Sequence, residues 1–186
     1  MKKIFVDLGA HKGTFSKEAI AKLEGFEVIA FEPCEMHWPD LEKIEGLTLY
    51  KVAAWDKDAE NVPLYLGQGA GKGTTMMPNK TTGGVNYKKP MYVNTIDFSR
   101  WIDARKDCFI VVKMNIEGAE FPIIEKMIKD DTLKYIDMLV YSDHSQKIQF
   151  DGSKISNKVR DTVKTFKKYA DPAKTINQVK VALDAQ

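Results

Sequence analysis

The sequence predicts an α/β fold, a Rossmann-like parallel sheet with helices on both faces. Three observations carry this reading. Short apolar runs alternate with helically spaced ones through the first third of the chain, as strand–helix–strand units do. The runs "IFVDL" and "CFIVVKMNI" are nearly continuous rather than alternating, which suits strands covered on both faces. The first run also ends in "FVDLGAHKGTF", Phe5 to Phe15, an acid followed by two glycines where a strand gives way to a helix. A turn alone needs one glycine, so the second raises the question of what lies against that backbone.

Each element follows in order. Ile4 to Leu8 reads as the first strand, and Phe15, Ala19, Ile20 and Leu23 recur at helical spacing until Gly25 supplies a C-terminal cap. "FEVIAFEP" is a second strand stopped by Pro33, Met36 to Ile44 a second helix stopped by Gly46, and "LTLYKVAAW" a third strand. "AENVPLYLG" alternates like an antiparallel strand. The Gly-, Thr- and Lys-rich stretch from Gly67 to Pro90 is a loop long enough to be a binding loop or lid. "MYVNTIDF" resumes strand character, and Asp97 is placed to cap a short helix, Ser99 to Ala104. "CFIVVKMNI" is a central strand, "AEFPIIEKMIKD" its helix and "YIDMLVYSD" a further strand. Beyond Gly152, "SKISNKVRDTVKTFKKYA" has a helical period, while "TINQVKVAL" fits a strand or a helix equally. The expected organisation is one domain over residues 1–150, with 151–186 a helical extension or its final elements.

Composition narrows the function. The chain has 186 residues and a formal net charge of +2, enough for one core and too balanced to argue for nucleic acid. The Lys-rich end, including Lys154, Lys158 and Lys164, reads as a solvated helix face. Cys34 and Cys108 have no ligand spacing around them and read as buried thiols of a reducing compartment. Asp7 interrupts the apolar run after Lys2 and Lys3 too early for a signal peptide, and no segment is long enough to span a bilayer. The expectation is a cytoplasmic protein without a membrane partner; its oligomeric state is left open.

Ligands of open α/β sheets bind beyond the carboxyl ends of the strands. Gly9 and Gly13 would let backbone amides approach such a ligand, although a tight turn with close helix packing asks for the same residues. Their spacing is not that of a dinucleotide fingerprint. Glu32, at the end of the second strand, stands where an acid accepts hydrogen bonds from ribose hydroxyls. Asp7 would hold the turn's amides or balance a ligand ammonium. "KMNIEGAE" puts Lys113, Asn115, Glu117 and Glu120 at a strand-to-helix junction, with the two acids three residues apart on one helical face.

The motifs "FVDLGAHKGTFS", "FEP", "NTIDF" and "VVKMNIEGAE", in that order, resemble those of FkbM-type S-adenosylmethionine-dependent methyltransferases. The resemblance covers Ile4 to His144 and implies a seven-stranded methyltransferase sheet with S-adenosylmethionine over the strand ends; whether the last strands are complete here is left open. Gly9, Ala10 and Gly13 would back the methionine moiety, Glu32 would hold the ribose, and Ala53, Ala54 or Trp55 would lie near the adenine. Asn115 and Glu117 would line the space between cofactor and acceptor, and Asn115 stands where the family usually carries Asp. An amide neither balances charge nor takes a proton.

The implied reaction is methyl transfer to a hydroxyl of a sugar or other small metabolite. A base must take the hydroxyl proton. His144 in "YSDHS" is the candidate, since imidazole changes charge near neutral pH; a half-exposed loop histidine is the bland reading. Lys72 and Thr74, in the long loop, are candidate acceptor-binding residues, and Lys80, Lys88 and Lys89 also suit an anionic group. His11 is expected to pack over the turn, and His37, on an outer helix, has no assigned role. A divalent metal at Glu117, Asp143 and His144 is conceivable in this fold, but no spacing demands it and none is predicted. Two alternatives stand beside this reading. One is a nucleic-acid 2′-hydroxyl methyltransferase in which Lys113 helps deprotonate the ribose. The other is a chain that binds S-adenosylmethionine, or a protein partner, without turnover.

Overall fold

The computed structural model describes residues 1–142, 144, 147–148, 159, 161–162, 167–168 and 172–184. The chain runs β1 (Lys3–Leu8), α1 (Thr14–Lys22), β2 (Phe26–Phe31), α2 (Trp38–Leu41), β3 (Leu47–Tyr50), β4 (Ala53–Trp55) and β5 (Ala59–Leu64). It continues through α3 (Gln68–Gly71), β6 (Met91–Asp97), α4 (Phe98–Asp103), β7 (Phe109–Met114), α5 (Glu120–Lys129), β8 (Met138–Tyr141), β9 (Lys167–Lys168) and α6 (Pro172–Asp184).

The main sheet has the order β3-β2-β1-β7-β8-β9, and every adjacent pair in it is parallel. The fold is the Rossmann-like α/β class expected. Among the described residues this sheet has six strands rather than seven, and no antiparallel pair closes it. A smaller sheet, β4-β6-β5, stands apart from it, with β4 parallel and β5 antiparallel to β6. Chain order reverses at β1: β2 and β3 lie on one side, β7 and β8 on the other. That reversal opens a crevice above the carboxyl end of β1.

Alternation along β1 builds two cores. Ile4, Val6 and Leu8 face one way, against α4 and α5, with Phe98, Ile102, Ile123 and Met127 fully buried between the layers. Phe5 faces the other way, where Phe15 and Ala19 of α1 and Ile176 and Val179 of α6 cover the sheet. Burial of each of these side chains except Ala19 stabilises the fold by about 1.5–3 kcal/mol. The segment "TINQVKVAL" is thereby settled as helix. Ile176, Val179 and Leu183 share one stripe against α1 and the sheet, a spacing no strand would place on one face.

Three other expectations change. "LTLYKVAAW" is two strands in two sheets, because β3 pairs only as far as Phe31 with Tyr50 and the chain then crosses to pair Ala53 with Thr95. The helix expected over Met36 to Ile44 is a 3-10 turn, Glu35–His37, followed by the four-residue α2. Pro39 is tolerated only in a helix's first turn, so the helix restarts around it. Cys34 is buried, whereas Cys108 is only half-buried, and both are free thiols. Most of "SKISNKVRDTVKTFKKYA" lies outside the described residues; Val159, Asp161 and Thr162 are helical. No described helix is long and apolar enough to cross a membrane.

A buried ion pair joins the carboxyl ends of β1 and β7. Asp7 of β1 and Lys113 of β7 are register partners, and Lys113 Nζ stands 2.7 Å from Asp7 Oδ1 with both side chains buried. Ser16 of α1 donates to the other Asp7 oxygen at 2.8 Å. Lys113 Nζ also donates to the carbonyls of Leu8 and Gly9, at 3.2 and 3.1 Å. Removing one member of a buried pair leaves the other uncompensated, at a cost of about 3–5 kcal/mol. Asp7→Ala should therefore lower the unfolding free energy in urea by about that much, and the double variant Asp7→Leu with Lys113→Met should recover more than half of the loss.

Candidate active site

A cavity of about 410 Å³ lies over the carboxyl ends of β1, β2 and β7, within the usual range for small-molecule sites. Its floor begins at the turn after β1. Gly9 has φ +74°, and a Cβ there would stand 2.4 Å from the carbonyl oxygen of Asn115. Only glycine lets the ends of β1 and β7 pass so closely. The amides of Gly9 and Ala10 donate to Phe31 O at 3.0 and 3.3 Å, tying the turn to β2. Gly9, Ala10 and His11 line the cavity. Gly13 does not: with φ +78°, its missing Cβ makes room for Ile44 and Leu41. The second glycine of the motif therefore serves packing against the α2 segment.

Glu32 is 5% exposed and lines the cavity. Its Oε2 accepts from the His11 amide at 2.7 Å and its Oε1 from the Cys34 amide at 2.9 Å, so each oxygen keeps one lone pair for a ligand. Burial pushes the Glu32 carboxyl above its ordinary range, opposed by those amides and the Lys113 charge. The Trp38 indole donates to the Glu32 carbonyl at 2.8 Å, folding the segment after β2 back on its own acid. Ala53 and Ala54 of β4, with Leu64 and Met76, form an apolar wall. Trp55 packs against that cluster without lining the cavity.

At the opposite side of β1, Asn115, Ile116 and Glu117 line the cavity. Glu117 has φ +56° and lies outside α5, so it does not share a helical face with Glu120 as the spacing suggested. Glu120 is fully buried; its carboxylate accepts from the amides of Ile116 (2.8 Å) and Gly118 (2.6 Å). Gly118, at φ +112°, has no room for a Cβ against Ile148. His144 is 2% exposed, not the half-exposed loop residue of the bland reading. Its Nδ1 is 2.9 Å from Glu120 and its Nε2 3.5 Å from Glu117, and it stands behind the cavity wall rather than in it.

The long loop comes down on this side. Lys72 and Thr74 line the cavity; Thr74 is engaged within the loop, accepting from the Gly67 amide and donating to Gly71 O. Thr75 donates to the Glu117 carbonyl at 2.7 Å. Lys80, expected to suit an anionic group of the acceptor, is 5% exposed and donates instead to Glu117 Oε2 at 2.7 Å and Gly73 O at 2.6 Å. Burial raises the Glu117 pKa, but the Lys80 hydrogen bond and the nearby His144, Lys80 and Lys147 outweigh it, so the carboxyl lies below its ordinary range. Lys88 and Lys89 are exposed. Asp7 and Lys113 hold the strand ends from beneath, Lys113 reaching the wall with its ammonium shared among Asp7, Leu8 O and Gly9 O.

Sequence reasoning leaves His37 on an outer helix. It is 3% exposed, lines the cavity, and packs its ring 4.0 Å from that of His11. The signal that could have found it is position: a segment that directly follows the acid at a strand's carboxyl end borders the crevice. Among the described residues no group of three His, Cys, Asp or Glu is arranged to hold a metal ion; Asp143 lies outside the described residues.

Burial, with the charges of His11 and Lys12, lowers the His37 pKa from 6.5 to about 4. As pH falls, the unfolded chain takes up this proton before the folded one, so the stability contribution is full above about pH 6.5 and is lost toward pH 4. Thermal melts between pH 7 and 4.5 should show a falling midpoint, with a flatter profile for His37→Asn.

The family model of the methyltransferase FkbM domain matches residues 7–179 of the chain, which takes in every residue that lines this cavity. No curated protein and no solved structure matches the chain.

Proposed function

We propose, from the premise that the chain belongs to the FkbM methyltransferase family, that it transfers a methyl group from S-adenosylmethionine to a hydroxyl of a sugar or other small metabolite. The observation that carries this reading is the Glu32 carboxylate. It is buried at the cavity wall, fixed by two backbone amides, and set beside an apolar wall of Ala53, Ala54, Leu64 and Met76. An acid with one free lone pair on each oxygen suits the paired hydroxyls of a ribose, and the wall suits a purine. The residues therefore fit an adenosyl group. Gly9 and Ala10 would back its methionyl end, with Asn115 facing it across the crevice.

When bound, the cofactor supplies a methyl group on a positively charged sulfur. The chain's own residues must orient the acceptor hydroxyl and take its proton as oxygen attacks. Glu117 is the side chain that orients the hydroxyl, since it borders the cavity and is held from the loop side by Lys80 and Thr75. His144, expected as the direct base, stands 3.5 Å behind the Glu117 carboxylate. In this proposal it receives the proton through Glu117, while Glu120 fixes its ring. Lys113 does not serve as a base, because three oxygens hold its ammonium; its role is to shape the floor. Lys72, exposed at the rim, gives an anionic acceptor a counter-charge.

Titration calorimetry with S-adenosylmethionine and S-adenosylhomocysteine tests the cofactor. Glu32→Ala should weaken both by about 10-fold or more through loss of charge-assisted hydrogen bonds; unchanged affinity would remove Glu32 from the ribose. Formation of S-adenosylhomocysteine over a panel of hydroxylated metabolites tests the reaction. Glu117→Gln and His144→Gln should each lower turnover by about 10²-fold or more while cofactor affinity stays within about 3-fold. Tight cofactor binding with no turnover on any acceptor would instead favour a binding protein, in keeping with an amide at position 115.

A further inference from the structure

We propose that His37 is a specificity-determining residue of this site, exchanging a hydrogen bond with the adenosine half of the cofactor. The inference rests on the proposed use of S-adenosylmethionine. Its starting point is an imbalance: the side chain is buried in the cavity wall, and neither Nδ1 nor Nε2 has a hydrogen-bond partner among the described residues. Buried polar atoms are nearly always paired, and leaving one unpaired is costly. Neither nitrogen is open to the cavity as the ring stands, so a ligand meets one of them only once the ring has turned; an imidazole left unmatched at a cavity wall calls for such a partner.

The surroundings hold this segment in the cavity wall. His11 packs against it at 4.0 Å. From the loop side Gly71 approaches at φ +77°, and a Cβ there would stand 2.9 Å from His37 Nε2. The segment carrying His37 is closed on Glu32 by the Cys34 amide and the Trp38 indole, and the His11 amide ties the same carboxylate to the turn after β1. His37 is therefore on the β2 side of the crevice with the ribose acid. Asn115 and Glu117 lie on the β7 side, since β1 runs between the two strands. A ligand that gives its ribose to Glu32 and its methionyl end to Gly9 and Asn115 presents sugar or base, not amino acid, to His37.

The chemistry agrees with an uncharged partner. Burial, reinforced by His11 and Lys12, keeps the imidazole neutral at pH 7, so it offers one N–H donor and one acceptor nitrogen. A hydroxyl or a purine nitrogen matches that offer.

The test is calorimetry at pH 7.5 with S-adenosylhomocysteine and with adenosine alone, on the native chain, His37→Phe, His37→Gln and His37→Asn, each shown folded by its melting transition. Phe preserves a flat ring without hydrogen bonds, whereas the amides restore the bond without the ring. Expected is a loss of about 10-fold for Phe with both ligands, and affinity within about 3-fold of native for at least one amide. Native affinity in the Phe variant overturns the assignment and leaves the cofactor reading intact. Equal losses in all three variants also overturn it, because ring shape rather than hydrogen bonding would then be what matters. A native chain that binds neither ligand overturns the cofactor reading and this inference with it.

Discussion

The crevice depends on how the ends of β1 and β7 are held together. Asp7 and Lys113 face each other in register, both shut away from solvent, and the lysine's remaining hydrogen bonds go to the carbonyls of Leu8 and Gly9. Two charges in an apolar interior are tolerated only when nearly all their bonding capacity is used. That condition fixes where the strands stop and how the next turn begins. Gly9 then passes against the Asn115 carbonyl. The floor of the cavity is thus a product of the core, and this is why an acid and a lysine stand in otherwise apolar strands.

Above that floor the two walls follow different logic. On the β2 side the backbone provides the grip: amides of His11 and Cys34 hold Glu32. On the β7 side it falls to side chains, with Glu120 capping two amides and His144, while Lys80 and Thr75 bring the long loop onto Glu117. Backbone-held groups keep their geometry whether or not a ligand is present. The β7-side wall instead closes through contacts of the long loop, the Lys80–Glu117 pair and the Thr75 hydrogen bond.

How much of this is legible in the sequence varies by element. β1, β2 and β7 are readable because buried parallel strands are short apolar runs bounded by glycine or proline. Glu32 is readable because its position at a strand end has a physical consequence in any open α/β sheet. The breaks are not readable. "LTLYKVAAW" is one apolar run, and only the absence of a pairing partner beyond Phe31 splits it. Lys80 and His37 are misread for a shared reason. Both are buried by contacts distant in sequence: Glu117 for one, His11 for the other. Asp7 and Lys113 stand out in the sequence as two unusual residues, but their register is a tertiary fact. Gly13 shows the converse, a motif glycine whose purpose is packing against Ile44.

The Trp38 indole carries a practical consequence. Its N–H is bound to the carbonyl of the very residue whose carboxylate faces the crevice, and the Lys51 ammonium stands 4.8 Å from its ring. A fluorophore bonded in this way beside the crevice has an emission colour set by the local electric field. The protein thus holds a built-in optical gauge of whether the crevice is filled, in need of no added dye.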